Sequence, residues 1–214
     1  MGIPSYFSHI IRNYSNIIRN IGFFSCTGFQ HLYMDCNSII YDAVHSTKFD
    51  MNSDLYEKII IDKVILSIEN YIKIIKPTSS LFIAFDGVAP FAKMDQQRVR
   101  RYKNKYISNS GINIDNGPKW DTSAITPGTN FMTSLSNRIS YAFTNMEHKY
   151  NIKKIIVSGS NEPGEGEHKL FSYLRKNPCL NENIALYGLD SDLIMLSIFH
   201  LQFCNNIFIF REAP

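Results

Sequence analysis

The 214-residue sequence carries a single Trp, four Cys and a net charge of only +3. Each scarcity removes a class of function. Cys26, Cys36, Cys179 and Cys204 form no CxxC pair, so local spacing encodes neither a zinc ribbon nor a dithiol redox motif. The opening residues do not read as a secretory leader, and the expected setting is a reducing intracellular compartment, cytoplasmic or nuclear, rather than secretion. The longest apolar stretch, residues 59–75, is broken by Asp62, Lys63, Glu69, Asn70 and Lys73, far from the roughly 18 uninterrupted apolar residues of a membrane span. Met1-Gly2-Ile3-Pro4-Ser5-Tyr6 places Tyr where a myristoylation signal needs Ser or Thr. No membrane partner is expected. A charge this small does not announce nucleic-acid binding, which must be argued from where the charges sit.

Hydrophobic residues make up 44% and charged residues 19% of the chain, the balance of one soluble domain over residues 1–214. Three apolar runs end on an acid: Leu32-Tyr33-Met34-Asp35, Leu81-Phe82-Ile83-Ala84-Phe85-Asp86 and Ile184-Ala185-Leu186-Tyr187-Gly188-Leu189-Asp190. A fourth, Ile155-Ile156-Val157, leads through Ser158-Gly159 to the turn Gly164-Glu165-Gly166-Glu167. Continuous rather than alternating hydrophobicity predicts strands covered on both faces. Helices are expected over 54–76, with Asp54 and Glu57 in a capping-box arrangement, and over 89–106 and 129–150. Residues 108–128, rich in Gly, Asn and Pro, are expected to form a mobile loop. The alternation gives an α/β, doubly wound, mostly parallel sheet with flanking helices, whose ligands gather outside the carboxyl ends of the strands.

Six carboxylates fall at those ends: Asp35, Asp86, Glu165, Glu167, Asp190 and Asp192. Gathered without compensation they would repel one another and raise several of their pKa values. Bound cations resolve the conflict, and an all-oxygen set selects Mg²⁺ or Mn²⁺ over zinc. Two ions about 3.5–4 Å apart would clamp the attacking and leaving oxygens of a phosphodiester. A lone Asp after a strand is usually a turn residue, but paired acids at Gly164-Glu165-Gly166-Glu167 and Asp190-Ser191-Asp192 exceed what turns need.

Just beyond Asp86, Lys93, Gln97, Arg100 and Arg101 stand at i, i+4, i+7 and i+8 and share one helix face. A compact ammonium, a neutral donor and two guanidinium forks suit a terminal phosphate. Beside a metal site, this face would recognise a 5′-monophosphate while the adjoining phosphodiester is cut. The plainer reading is a solvated basic helix face.

These residues are similar to the XRN family of 5′-to-3′ exoribonucleases across nearly the whole chain. The matching stretches are Met1-Gly2-Ile3-Pro4 with Tyr6-Phe7, 32–39 from Leu32 through Asp35, Asp86-Gly87-Val88-Ala89-Pro90 with 93–101, 123–129, Pro163-Gly164-Glu165-Gly166-Glu167-His168-Lys169 and Tyr187-Gly188-Leu189-Asp190-Ser191-Asp192 with 193–196. The resemblance implies a PIN/5′-nuclease-like fold in which the six acids hold two metals and Lys93, Gln97, Arg100 and Arg101 bind the 5′-phosphate. It further implies processive degradation of 5′-monophosphorylated single-stranded RNA in RNA turnover. Tyr41 stands where the family usually has a base-stacking His, and Glu162 replaces an apolar residue. The family continues beyond Ile207-Phe208-Ile209-Phe210-Arg211-Glu212 with another active-site Asp and a second region, so this chain is expected to be a fragment, half of a split enzyme completed by a separate chain, or a remnant. A non-catalytic RNA-end-binding module and a structure-specific or DNA-directed 5′ nuclease remain alternatives. His168 is left outside the catalytic set, and Trp120 and Tyr102 are unassigned.

Overall fold

In the computed structural model, which describes residues 5–21, 28–49, 53–109 and 120–212, the apolar runs that end on acids are strands. β1 (His31–Asp35), β2 (Ser80–Ala84), β3 (Lys154–Ser158), β4 (Asn183–Tyr187) and β5 (Asn206–Phe210) form one sheet in the order β3-β2-β1-β4-β5. Every pairing is parallel. The expected mostly parallel sheet is therefore parallel throughout the described residues.

Parallel strands need long crossovers, and helices supply them. α1 (Tyr6–Asn13) precedes the sheet, and α2 (Asn37–His45) and α3 (Ser53–Ile75) join β1 to β2. α4 (Phe91–Asn109), α5 (Asn130–Phe143) and the single turn α6 (Glu147–Tyr150) lie between β2 and β3, α7 (Gly166–Lys176) leads to β4, and α8 (Asp192–Phe199) to β5. The chain steps from β1 through β2 to β3, then returns past β1 to β4 and β5. That reversal opens a crevice at the carboxyl ends of β1 and β4, the usual place for a ligand in such sheets.

Alternation along each strand sends Leu32 and Met34 to one face and Tyr33 to the other. The first face packs with Ile39, Ile60, Val64, Leu135 and Ile139 of α2, α3 and α5 in one core. The second, carrying Tyr33, Phe82, Ile184 and Leu186, is covered by Leu170, Phe171 and Leu174 of α7 and Leu193 of α8. Burial on both faces is the physical reason the strands are apolar without a break.

Local details differ from the sequence expectations. Asp54 lies within the first turn of α3 rather than capping it, where its charge favours the positive end of the helix dipole. The helix expected over 129–150 is divided. Thr129 caps α5, its Oγ1 accepting from Met132 N–H at 3.3 Å, and Asn145, at φ 60°, redirects the chain before α6. Within the stretch 108–128, residues 110–119 lie outside the described residues. Trp120 packs against Tyr56 and Phe131, with ring centroids 5.8 and 5.0 Å away, and donates to Glu57 at 3.4 Å. Trp120 is thus a packing residue, and Thr122–Ala124 form a short 3-10 turn beside it.

Candidate active site

Because the strands all run one way, their terminal acids leave the sheet at one edge. Asp35 is the last residue of β1, in register with Ala84 of β2, and Asp86 follows two residues later. Asp190 comes three residues after the end of β4, Glu165 and Glu167 flank the first residue of α7, and Asp192 is the first residue of α8.

Backbone pairing docks the acidic turn onto the exit from β2: Gly87 N–H donates to Gly164 O at 2.8 Å, and Gly164 N–H to Val88 O at 2.9 Å. This approach requires missing side chains. A Cβ at Gly87 would stand 1.7 Å from Glu162 O, and one at Gly166 would stand 2.4 Å from Asp35 Oδ1. Gly166 N–H then donates to Asp86 Oδ1 at 2.7 Å. Asn37 Nδ2 donates to Asp86 Oδ2 at 2.5 Å while Asp86 N–H donates back to Asn37 Oδ1 at 3.1 Å. Both oxygens of Asp86 are thereby oriented.

Asp35 differs, because its Oδ1 is buried with no hydrogen-bond partner among the described residues. Burial pushes its carboxyl well above the usual range, and the charges of Asp86, Glu167 and Asp190 push it further. Burial also raises Asp86, offset in part by the Gly166 N–H and by Lys169 and Lys93, while Glu165 adds repulsion. Glu167 is raised by burial, with Glu165 and Asp190 adding to the shift and His168 and Lys93 opposing it.

Lys93 Nζ reaches Glu165 Oε2 at 2.9 Å. Burial alone would lower the ammonium, but that hydrogen bond and the charges of Glu165, Glu167 and Asp86 hold it above its ordinary value. Lys169 Nζ donates to Phe85 O at 2.7 Å and Gly159 O at 2.8 Å, and burial lowers its pKa against the pull of Glu162, Asp86 and Asp35. Two ammonium groups among Asp35, Asp86, Glu165, Glu167 and Asp190 leave an excess of negative charge. An unpartnered, buried carboxylate oxygen amid other oxygen donors fits a hard divalent cation.

The remaining candidates are placed less tightly. Asp190 is exposed and Asp192 partly buried, and the charge interactions among the described residues tie Asp190 to Asp35 and Glu167 but do not include Asp192. Single donor atoms of Glu165, Glu167 and His168 lie within 4.8 Å of one another, which brings His168 beside the cluster, although its side chain is largely exposed. On α4, Lys93 and Gln97 are partly buried and Arg100 is exposed, while the side chain of Arg101 lies outside the described residues. Tyr41 on α2 is exposed, as is Tyr102. Glu162 accepts from Ser158 Oγ at 2.5 Å. Sequence reasoning missed the positioning role of Asn37 and the internal cation Lys169. Asn37 was detectable as an amide two residues past a strand-terminal acid, and Lys169 as a Lys one helical turn from Glu165.

A family model described as XRN 5'-3' exonuclease N-terminus matches residues 1–213. The chain belongs to that family. It is similar to 5'-3' exoribonuclease 1 of Saccharomyces cerevisiae, with 36% identity over 92% of this chain and 14% of the relative. It is similar also to 5'-3' exoribonuclease 1 of Homo sapiens, with 34% identity over 92% of this chain and 12% of the relative. For 5'-3' exoribonuclease 2 of Arabidopsis thaliana the identity is 35%, over 79% of this chain and 19% of the relative. The chain thus spans under a fifth of the length of each of these three XRN relatives. No helix among its described residues is long and apolar enough to cross a membrane.

Proposed function

We propose that residues 1–214 act as the nuclease domain of a 5′-to-3′ exoribonuclease that releases mononucleotides from 5′-monophosphorylated single-stranded RNA. The observation that carries this reading is Asp35 Oδ1, buried and unpartnered among like charges in a chain of the XRN family. Asp35, Asp86, Glu165, Glu167, Asp190 and Asp192 would hold two Mg²⁺ or Mn²⁺ ions. When bound, such a pair activates water and neutralises charge on the departing oxygen.

The chain's own groups do the positioning. Asn37 and the Gly166 N–H hold Asp86 in one orientation, so its oxygens are set before substrate arrives. Lys93, Gln97, Arg100 and Arg101 receive the 5′-phosphate. The Lys93–Glu165 contact links that receptor to the acids, fixing which phosphodiester lies over them. Tyr41, exposed on α2, offers a face for a base to stack on.

The test is Mg²⁺-dependent release of mononucleotides from 5′-monophosphorylated RNA. Asp86→Ala should abolish it, and the Arg100→Ala, Arg101→Ala double variant should cleave monophosphate and hydroxyl ends equally well. Undiminished cleavage by Asp86→Ala would remove the assignment. Because the chain spans so little of its relatives' length, a second reading is an RNA-end-binding module that needs further polypeptide for turnover. Binding without cleavage in Mn²⁺ would favour it, and preferential cleavage of DNA over RNA of the same sequence would indicate a DNA-directed nuclease.

A further inference from the structure

A second group of donors lies at the opposite end of the sheet. His31 opens β1, Glu182 immediately precedes β4, Cys204 lies two residues before β5, and Cys179 comes from the connection after α7. Single donor atoms of His31, Cys179 and Glu182 lie within 4.8 Å of one another, with His31 Nε2 2.6 Å from Glu182 Oε2. The Cys204 thiol stands outside that group of three but beside it: it donates to the Glu182 carbonyl at 3.3 Å, and its titration is linked to that of Cys179. Both cysteines are free.

We infer that His31, Cys179, Cys204 and Glu182 form a zinc site separate from the acidic cluster. Two thiolates, an imidazole and a carboxylate match the ligand types and the number that tetrahedral Zn²⁺ takes, whereas the oxygen-only set at the other edge suits Mg²⁺. The second ring nitrogen of His31 is 2.7 Å from Ser80 Oγ, at the start of β2. An outer hydrogen bond of this kind fixes the ring of a metal-binding His, and here it leaves Nε2 facing Glu182.

The backbone already holds the ligand-bearing segments together. Cys179 N–H donates to Phe203 O at 2.9 Å, and Glu182 N–H to Cys179 O at 3.2 Å. His31 and Cys204 are buried while Cys179 and Glu182 are partly exposed, which provides a path for entry. Binding would replace the His31–Glu182 hydrogen bond and release the two thiol protons to solvent. With four protein ligands the site has no open position, so its role is to tie the starts of β1, β4 and β5 together.

The test is metal analysis of the purified full chain, kept reduced and desalted, followed by replacement of the metal with Co²⁺. About one zinc per chain is expected, in line with one four-ligand site, together with the visible absorption and thiolate charge-transfer band of tetrahedral Co²⁺. Cys179→Ser and Cys204→Ser should each weaken that band, and Asp86→Ala should leave it intact. Background zinc with no thiolate–Co²⁺ band in the folded, reduced parent chain would overturn the inference, as would a band that survives the double Cys→Ser variant. Should the variants fail to fold, the parent spectrum alone decides.

Discussion

Asp35→Asn should stabilise the metal-free chain while abolishing its response to Mg²⁺. Asp35 Oδ1 is buried without a partner, and its carboxyl confronts Asp86, Glu167 and Asp190. An unsatisfied buried polar group costs about 1–3 kcal/mol, and more when charged. Neutralising the side chain removes the charged part of that cost. In a domain of 150–250 residues each kcal/mol moves Tm by about 2–4 °C, so in chelator near neutral pH the variant should melt roughly 2–12 °C above the parent. The pH dependence has a definite sign. The carboxyls of Asp35, Asp86 and Glu167 are raised in the folded state, so the folded chain binds protons more tightly than the unfolded one. Metal-free stability is therefore fullest below the ordinary carboxylate range and declines as pH climbs through it toward the raised values. Asp35→Asn should flatten this decline. In Mg²⁺ at about a hundred times Kd the parent should gain ~2.7 kcal/mol and the variant far less, closing or reversing the variant's lead. Thermal unfolding by circular dichroism, in chelator and in Mg²⁺ across pH, measures all of this. A variant destabilised equally in both conditions would refute the account of Asp35 as a charge held for a cation.

Gly166→Ala should lower stability by about 1–3 kcal/mol, the usual cost of overpacking, because the new Cβ would meet Asp35 Oδ1 at 2.4 Å. Urea unfolding gives the loss, and a fall in turnover beyond the unfolded fraction would show that Asp35 has moved. Asn37→Ala removes both hydrogen bonds to Asp86; metal affinity or activity should fall about 10–100-fold, as for other residues that orient a metal ligand. A Mg²⁺ titration of cleavage checks it, and an unchanged midpoint and rate would mean that Asp86 orients itself.

The sheet was legible because burial on both faces leaves a signature within each strand: Leu81-Phe82-Ile83-Ala84 is apolar at every position, and the structure covers both sides. The edge of acids was legible for a related reason, since parallel strands bring every strand-terminal acid to one side. The break between α5 and α6 was not, because it depends on Asn145 at φ 60°, within a segment whose composition suits a helix. Asn37 escaped notice because its value comes from reaching Asp86, 49 residues away, on the neighbouring strand's exit. His31, Cys179, Glu182 and Cys204 escaped for the same reason on a larger scale. Spacing rules register ligands that are near in sequence, whereas these meet because three strands start side by side.

The direction common to all strands also makes the two ends of the sheet electrically different. α2, α7 and α8 begin at the edge that carries the acids, so their N-terminal N–H groups and positive dipole ends point where negative charge accumulates. Gly166 N–H, bonded to Asp86, is that effect in one contact. At the other edge α7 and α8 end, at Lys176 and Phe199, before Cys179 and Cys204. Helix C-termini there disfavour the negative charge of two thiolates and the Glu182 carboxylate, most of which a bound zinc ion would offset. One topology thus steadies anionic ligands where helices begin, and where they end it leaves the thiolates and Glu182 dependent on a bound cation for their charge.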